Sequence, residues 1–145
     1  KALMENTQIE KIYGVDPFIT DSWDMHNFFS VDDEYGGFDG LYGEVRDMLS
    51  QFGDRVELVR KKSIEAAPDF EDESLDFVFI DAIHDYENCS KDIAHWHHRV
   101  RKGGYVMGHD WEHSAFPGVQ KAVVEHYGDA VQGIPGPVHI WYIQV

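Results

Sequence analysis

Three stretches of the chain carry side chains able to move protons or hold a cation. Asp81 ends the apolar run LDFVFID (residues 75–81) and is followed three residues on by His84. His109 and Asp110 close a second apolar run, Tyr105 to Gly108, and Asp16 closes a third after Tyr13-Gly14-Val15. A carboxylate placed directly after an apolar run is costly unless it is paired, hydrogen-bonded or metal-bound. Asp81, His84, His109 and Asp110 together offer oxygen and nitrogen ligands for a divalent cation, or an imidazole base that works near neutral pH. A hydrogen-bonded polar cluster without metal is the alternative. Asp16 offers a carboxylate that can accept from two adjacent ribose hydroxyls, or it simply turns the chain before Pro17. Asp85 reads as the cap of the helix that follows it. In His95-Trp96-His97-His98 only His95 and His98 share a helix face, and no Glu stands between them as a zinc protease would require, so a solvated face is the better reading.

The elements that position these residues follow from periodicity and punctuation. Residues 1–6 are good helix formers that stop at Asn6. Residues 9–15 (IEKIYGV) read as a strand. Residues 16–50 carry nine carboxylates against one Arg. The first part of this stretch reads as a long loop, and its aromatics Phe18, Trp23, Phe28 and Phe29 suggest a lid. Leu41, Val45, Met48, Leu49 and Phe52 then recur at helical spacing and predict a helix over residues 39–52, stopping at Gly53. Residues 56–60 form a strand, and residues 63–67 one or two helical turns before Pro68. The run at 75–81 is the clearest strand, apolar enough to be covered on both faces of a parallel sheet. Tyr86, Cys89, Ile93, Trp96 and Val100 mark a helix closed by Arg101-Lys102-Gly103-Gly104. Residues 105–108 form another strand, Pro117 opens a helix to about Tyr127, and residues 139–145 form a last strand paired with a short one at 130–132. This alternation means an α/β fold with helices on both faces of a parallel sheet, where ligands sit beyond the carboxyl ends of strands.

The chain of 145 residues fits a single domain over residues 1–145, with a net charge of −15 from 12 Lys plus Arg against 27 Asp plus Glu. Such a charge repels nucleic-acid backbones and anionic membranes, so neither is expected as a partner. The lone Cys89 excludes an internal disulfide and a cysteine-based zinc site. No apolar run approaches the ~20 residues of a membrane span, and no signal sequence is visible, so a soluble cytoplasmic protein is the expectation. The chain opens on Lys1, in what reads as the second half of a helix, and its length understates the protein on that reading.

The stretches IYGVDPF (12–18), GDRVELVRKKSIEAAPDF (53–70), LDFVFIDAIHDYENCSKDIAHWHHRVRKGGYVMGHDW (75–111) and FPGVQKAV (116–123) resemble the class I S-adenosylmethionine-dependent methyltransferases. More narrowly they look like the methyltransferase domain 24 branch, related to macrocin O-methyltransferases and cephalosporin-hydroxylase-like proteins. The resemblance covers residues 9–145. It implies a Rossmann-like, doubly wound, mostly parallel sheet with an antiparallel C-terminal strand. S-adenosylmethionine would lie over the carboxyl ends, with Asp16 holding its ribose, Ser63 and Ile64 beside its adenine, and Asp81 facing cofactor and substrate. His84 and His109 would supply the catalytic base, and Asp81 with Asp110 would hold a divalent metal if one is used. Many members carry a second acid two residues after the first; Ile83 takes that place here. The family's first strand and Gly-rich turn, which cradles the methionine part of the cofactor, have no counterpart before Ile9, so the chain alone is expected to bind cofactor poorly.

The implied activity is methyl transfer to an oxygen of a small-molecule acceptor. A metal-dependent hydrolase or lyase using the Asp/His cluster, or a non-catalytic methyltransferase-fold protein, are the alternatives. The aromatic-rich loop and the last strand offer a surface on which copies of the chain could form a homo-oligomer.

Overall fold

The computed structural model describes residues 4–5, 8–19 and 34–145, and the chain divides into two compact units, Lys1–Ser63 and Ile64–Val145.

In the first unit, strand β1 (Ile12–Val15) pairs in parallel with β2 (Val56–Val59), Ile12 opposite Val56 and Val15 opposite Val59. Helix α1 (Phe38–Leu49) lies between them in sequence. The regular helix ends at Leu49, earlier than its apolar spacing suggests, and a tighter turn over Ser50–Arg55 carries the chain to β2, with Gly53 at φ 54 making the reversal. Phe18, at the start of the stretch read as a lid, is 7% exposed and packs edge-on against Tyr42 at 5.1 Å. Trp23, Phe28 and Phe29, with the rest of that loop, lie outside the described residues, as does most of the expected first helix, of which Met4 and Glu5 are helical.

Helix α2 (Ser63–Ala66) spans the sequence junction between the units. The second unit is a four-stranded sheet in the order β3 (Leu75–Ile80), β4 (Val100–Gly108), β6 (Trp141–Gln144), β5 (Gln132–Gly133). β3 and β4 run parallel, and β6 is antiparallel to both its neighbours. This is the strand–helix alternation with an antiparallel end that the resemblance implies. Helices α3 (Tyr86–Trp96) and α4 (Pro117–Tyr127) supply Cys89, Ile93, Val119, Ala122 and Val123 to one core with Val106, Trp141 and Ile143 of the sheet. Fully burying a Val or Ile side chain such as Val106, Val123 or Ile93 stabilises by roughly 1.5–3 kcal/mol. Burial also pushes the Cys89 thiol up to about 12, so it is an inert packing residue.

Two expectations are corrected. β3 is not buried on both faces: Phe79 is 43% exposed, and across the same face Tyr105 of β4 is 40% exposed. α3 and α4 pack together on the opposite face, and β3 is an edge strand among the described residues. An apolar run reports what a strand can bury, not what its neighbours cover. Second, Arg101-Lys102-Gly103-Gly104 does not close a helix. α3 ends in a short turn over His97–Arg99, and the four residues form a bulge inside β4, which steps from Val100 opposite Leu75 to Tyr105 opposite Phe77. Gly103 takes φ 78, and a Cβ on Gly104 would stand 2.5 Å from the Asp76 carbonyl oxygen, so both glycines are required by the bulge. Among the described residues no helix is long and apolar enough to cross a membrane.

Candidate functional site

The carboxyl ends of β3 and β4 are held side by side. Ile80 stands opposite Gly108, and the His109 N–H donates to the Ile80 carbonyl at 3.1 Å. Gly108 permits this approach, since a Cβ there would stand 2.6 Å from the Trp141 ring and 2.7 Å from the Ile80 oxygen. Asp81 and the pair His109-Asp110 therefore leave neighbouring strands at one end of the sheet. His84 arrives from the short turn before α3, whose start is fixed by Asp85: the Asn88 N–H donates to its Oδ1 at 2.8 Å, as the cap reading anticipates.

Asp110 is the centre of the cluster. It is 4% exposed and adopts φ 60, a left-handed conformation that Asp tolerates better than most residues. Backbone strain of this kind collects where a side chain must be aimed. His84 Nε2 lies 2.9 Å from Asp110 Oδ2, and His109 Nδ1 lies 3.2 Å from Asp110 Oδ1. One buried carboxylate thus lies within ion-pair distance of two imidazole nitrogens. His84 Nε2 also lies 3.4 Å from Asp81 Oδ1, whose side chain is 50% exposed.

The His109 side chain is 39% exposed. One atom each of Asp81, His84 and Asp110 lie within 4.8 Å of one another. That trio of two carboxylates and an imidazole suits a divalent cation, and His84 stands with the two acids that the sequence marks as metal candidates.

The remaining candidates fall elsewhere. Asp16 is exposed at the carboxyl end of β1, its N–H bonded to the Val59 carbonyl at 3.2 Å. Its Oδ1 accepts the Phe18 N–H at 2.6 Å, so the turn role is realised. A carboxylate accepts several hydrogen bonds at once, and the turn does not exhaust it. Ser63 opens α2 just after β2, and Ile64 is 40% exposed. The structure therefore gathers Asp81, His84, His109 and Asp110 within the second unit, whereas Asp16 belongs to the first and Ser63 and Ile64 flank the division.

His95 and His98 are exposed, as a solvated face requires. His97 turns inward to the Tyr127 hydroxyl at 3.2 Å, and burial holds its pKa below the usual histidine value. Sequence reasoning missed the aromatic side of the cluster. The Phe116 ring lies 4.5 Å from that of His84 and 5.1 Å from that of His113, which lies 4.9 Å from that of His139. Only the Pro117-Gly118 that follows Phe116 marks the spot in the sequence, and it reads as a helix start.

Residues 1–111 match the profile of a family described as a methyltransferase domain. An uncharacterized protein, y4gI, of Sinorhizobium fredii is 33% identical over 90 residues, which is 58% of this chain and 10% of that protein. The O-methyltransferase NovP superimposes with a TM-score of 0.64 at 18% identity, over 92% of this chain and 59% of its own. The calicheamicin methyltransferase CalS11 gives 0.62 at 20% identity, over 92% and 60%. SMU.1697c of Streptococcus mutans, solved in complex with SAH, gives 0.53 at 12% identity, over 94% and 90%. The chain thus spans about three fifths of NovP and CalS11, and these three likenesses are likenesses of fold.

Proposed function

The chain belongs to this methyltransferase-domain family, whose methyl donor is S-adenosylmethionine, and we propose that it forms the catalytic domain of an enzyme that methylates an oxygen of a small molecule. The observation that carries this reading is the buried Asp110 carboxylate shared by His84 and His109 at the end of the sheet. When bound, S-adenosylmethionine supplies an electrophilic sulfonium methyl. Asp16, an exposed carboxylate at a strand end, is the candidate for the ribose hydroxyls, and Ile64, an exposed apolar side chain, with Ser63 in the same turn, is the candidate for the adenine.

Methyl transfer is an in-line displacement, so the protein must hold the acceptor oxygen in line and remove its proton. His84 and His109, both beside Asp110, are the bases at hand, the imidazole being the side-chain base suited to neutral pH. Alternatively, Asp81, His84 and Asp110 would hold a divalent cation, which would lower the acceptor hydroxyl's pKa by direct coordination and leave His109 as the base. The strongly acidic chain also argues for a small-molecule acceptor over a nucleic acid.

Calorimetry with S-adenosylhomocysteine on the full-length protein that carries this chain tests the reading. Binding with a Kd below about 100 μM, roughly −5.5 kcal/mol, and its loss in Asp16→Ala are the expected results. No heat at that concentration overturns it, and stoichiometric metal without such binding would favour a hydrolase or lyase on the same cluster.

A further inference from the structure

We propose that Arg60 is a positioning residue for Asp16: its guanidinium holds the turn that fixes the direction of the Asp16 carboxylate at the end of β1. Beyond the last paired residues, Val15 opposite Val59, the Asp16 N–H still donates to the Val59 carbonyl at 3.2 Å. Asp16 and Arg60 therefore leave the two parallel strands side by side. The Phe18 N–H donates to Asp16 Oδ1 at 2.6 Å, which ties the carboxylate to the backbone two residues on. That tie lasts only while Phe18 keeps its own conformation, φ 51. A left-handed backbone is unfavourable for a bulky aromatic residue and persists where the surroundings impose it.

Arg60 supplies contacts that impose it. Its Nε donates to the Pro17 carbonyl at 3.4 Å, and its Nη2 donates to the Phe18 carbonyl at 3.5 Å. The planar fork of one guanidinium thus spans two successive carbonyls, a geometry that a lysine ammonium does not reproduce. The same Nη2 pairs with Asp39 in the first turn of α1. The guanidinium carbon stands 4.9 Å from the centre of the Tyr42 ring, three residues on along the same helix face. Phe18 packs its buried ring edge-on against that same Tyr42. Backbone and ring of Phe18 are therefore held by one cation and the aromatic it rests on. The Arg60–Asp39 pair is exposed, and such pairs stabilise little by themselves. Its use is to set the guanidinium against the turn, through which Arg60 acts on Asp16. The role in ribose binding rests on the methyltransferase reading; the geometry of the turn does not.

The test is amide hydrogen exchange, read by NMR in the full-length protein without ligand, followed by calorimetry with S-adenosylhomocysteine. Arg60→Lys keeps the charge and loses the fork. It should speed exchange of the Phe18 N–H about tenfold, the scale of one hydrogen bond from a charged group. The Asp16 N–H, which belongs to the β1–β2 ladder, should keep its rate. The Kd for S-adenosylhomocysteine should rise about tenfold as well. Tyr42→Leu, which removes the ring under the guanidinium, should move both readings in the same sense, and Tyr42→Phe should move neither. Unchanged Phe18 exchange in Arg60→Lys overturns the proposal. Equal acceleration at Phe18 and Asp16 also overturns it, because Arg60 would then only hold the two strands together. An unchanged Kd beside a loosened Phe18 does the same. Should the unaltered protein not bind S-adenosylhomocysteine while the exchange pattern is as expected, the methyltransferase reading falls and the hold of Arg60 on the Asp16 turn stands. In the active enzyme, Arg60→Lys should raise the KM for S-adenosylmethionine and leave kcat unchanged, the pattern of lost uniform binding.

Discussion

Asp110 concentrates three features at one residue: a buried carboxyl group, a left-handed backbone, and two imidazoles within ion-pair distance. Asn at this position tolerates the same backbone and volume, so Asp110→Asn should fold with a melting temperature close to that of the parent protein. It removes the charge, however, and presents an amide N–H₂ to one of the two rings. Loss of Mn²⁺ binding in calorimetry, with the fold intact, is the expected outcome if Asp110 is a ligand. In a methyl-transfer assay, replacing the imidazole that takes the proton should cost about 10²–10⁴ in kcat, the usual worth of a general base. His84→Gln and His109→Gln therefore separate the two candidates: the larger loss marks the base, and equal small losses would show that neither is.

At the scale of elements, the ends of strands and helices are where side-chain chemistry was legible and where backbone chemistry was not. Asp85 was readable as a cap because capping depends on residue type alone. Replacing it by Ala should cost about 1 kcal/mol in urea unfolding. Gly108 was not readable, because its necessity comes from Trp141 and Ile80, which approach it from distant parts of the chain. Gly108→Ala should destabilise by roughly 1–3 kcal/mol as overpacking and part His109 from Ile80, which a lost protection of the His109 amide in hydrogen exchange would report. The bulge at Gly103-Gly104 shows the same limit. Two glycines after a basic pair end many helices, and only the step in pairing against β3 reveals that here they bend a strand. Phe116 carries no signal in the sequence for a related reason: an aromatic before a proline is common, and its contact with the His84 ring depends on how two helix starts meet.

For the molecule as a whole, acid and alkaline limits of stability follow from groups buried in the second unit. Burial lowers the His97 pKa, so the folded form prefers the neutral ring. Below the ordinary value of about 6.5 the unfolded chain takes up a proton that the folded one refuses, and stability falls with pH through the folded value. Burial raises the Cys89 pKa from 9.0 to about 12, and the Tyr127 hydroxyl is likewise pushed up. Above about 9 the unfolded thiol loses its proton while the folded one keeps it, so the stability that depends on a neutral Cys89 fades as pH rises toward 12. The midpoint of urea unfolding should therefore be flat between about pH 6.5 and 9 and fall on both sides. His97→Gln should flatten the acid limb just below 6.5, before the 27 carboxylates begin to titrate. An acid limb that keeps its slope in this variant would place the sensitive group elsewhere. The net charge of −15 acts on the same curve through self-repulsion, so raising ionic strength should lift the whole plateau without moving its edges.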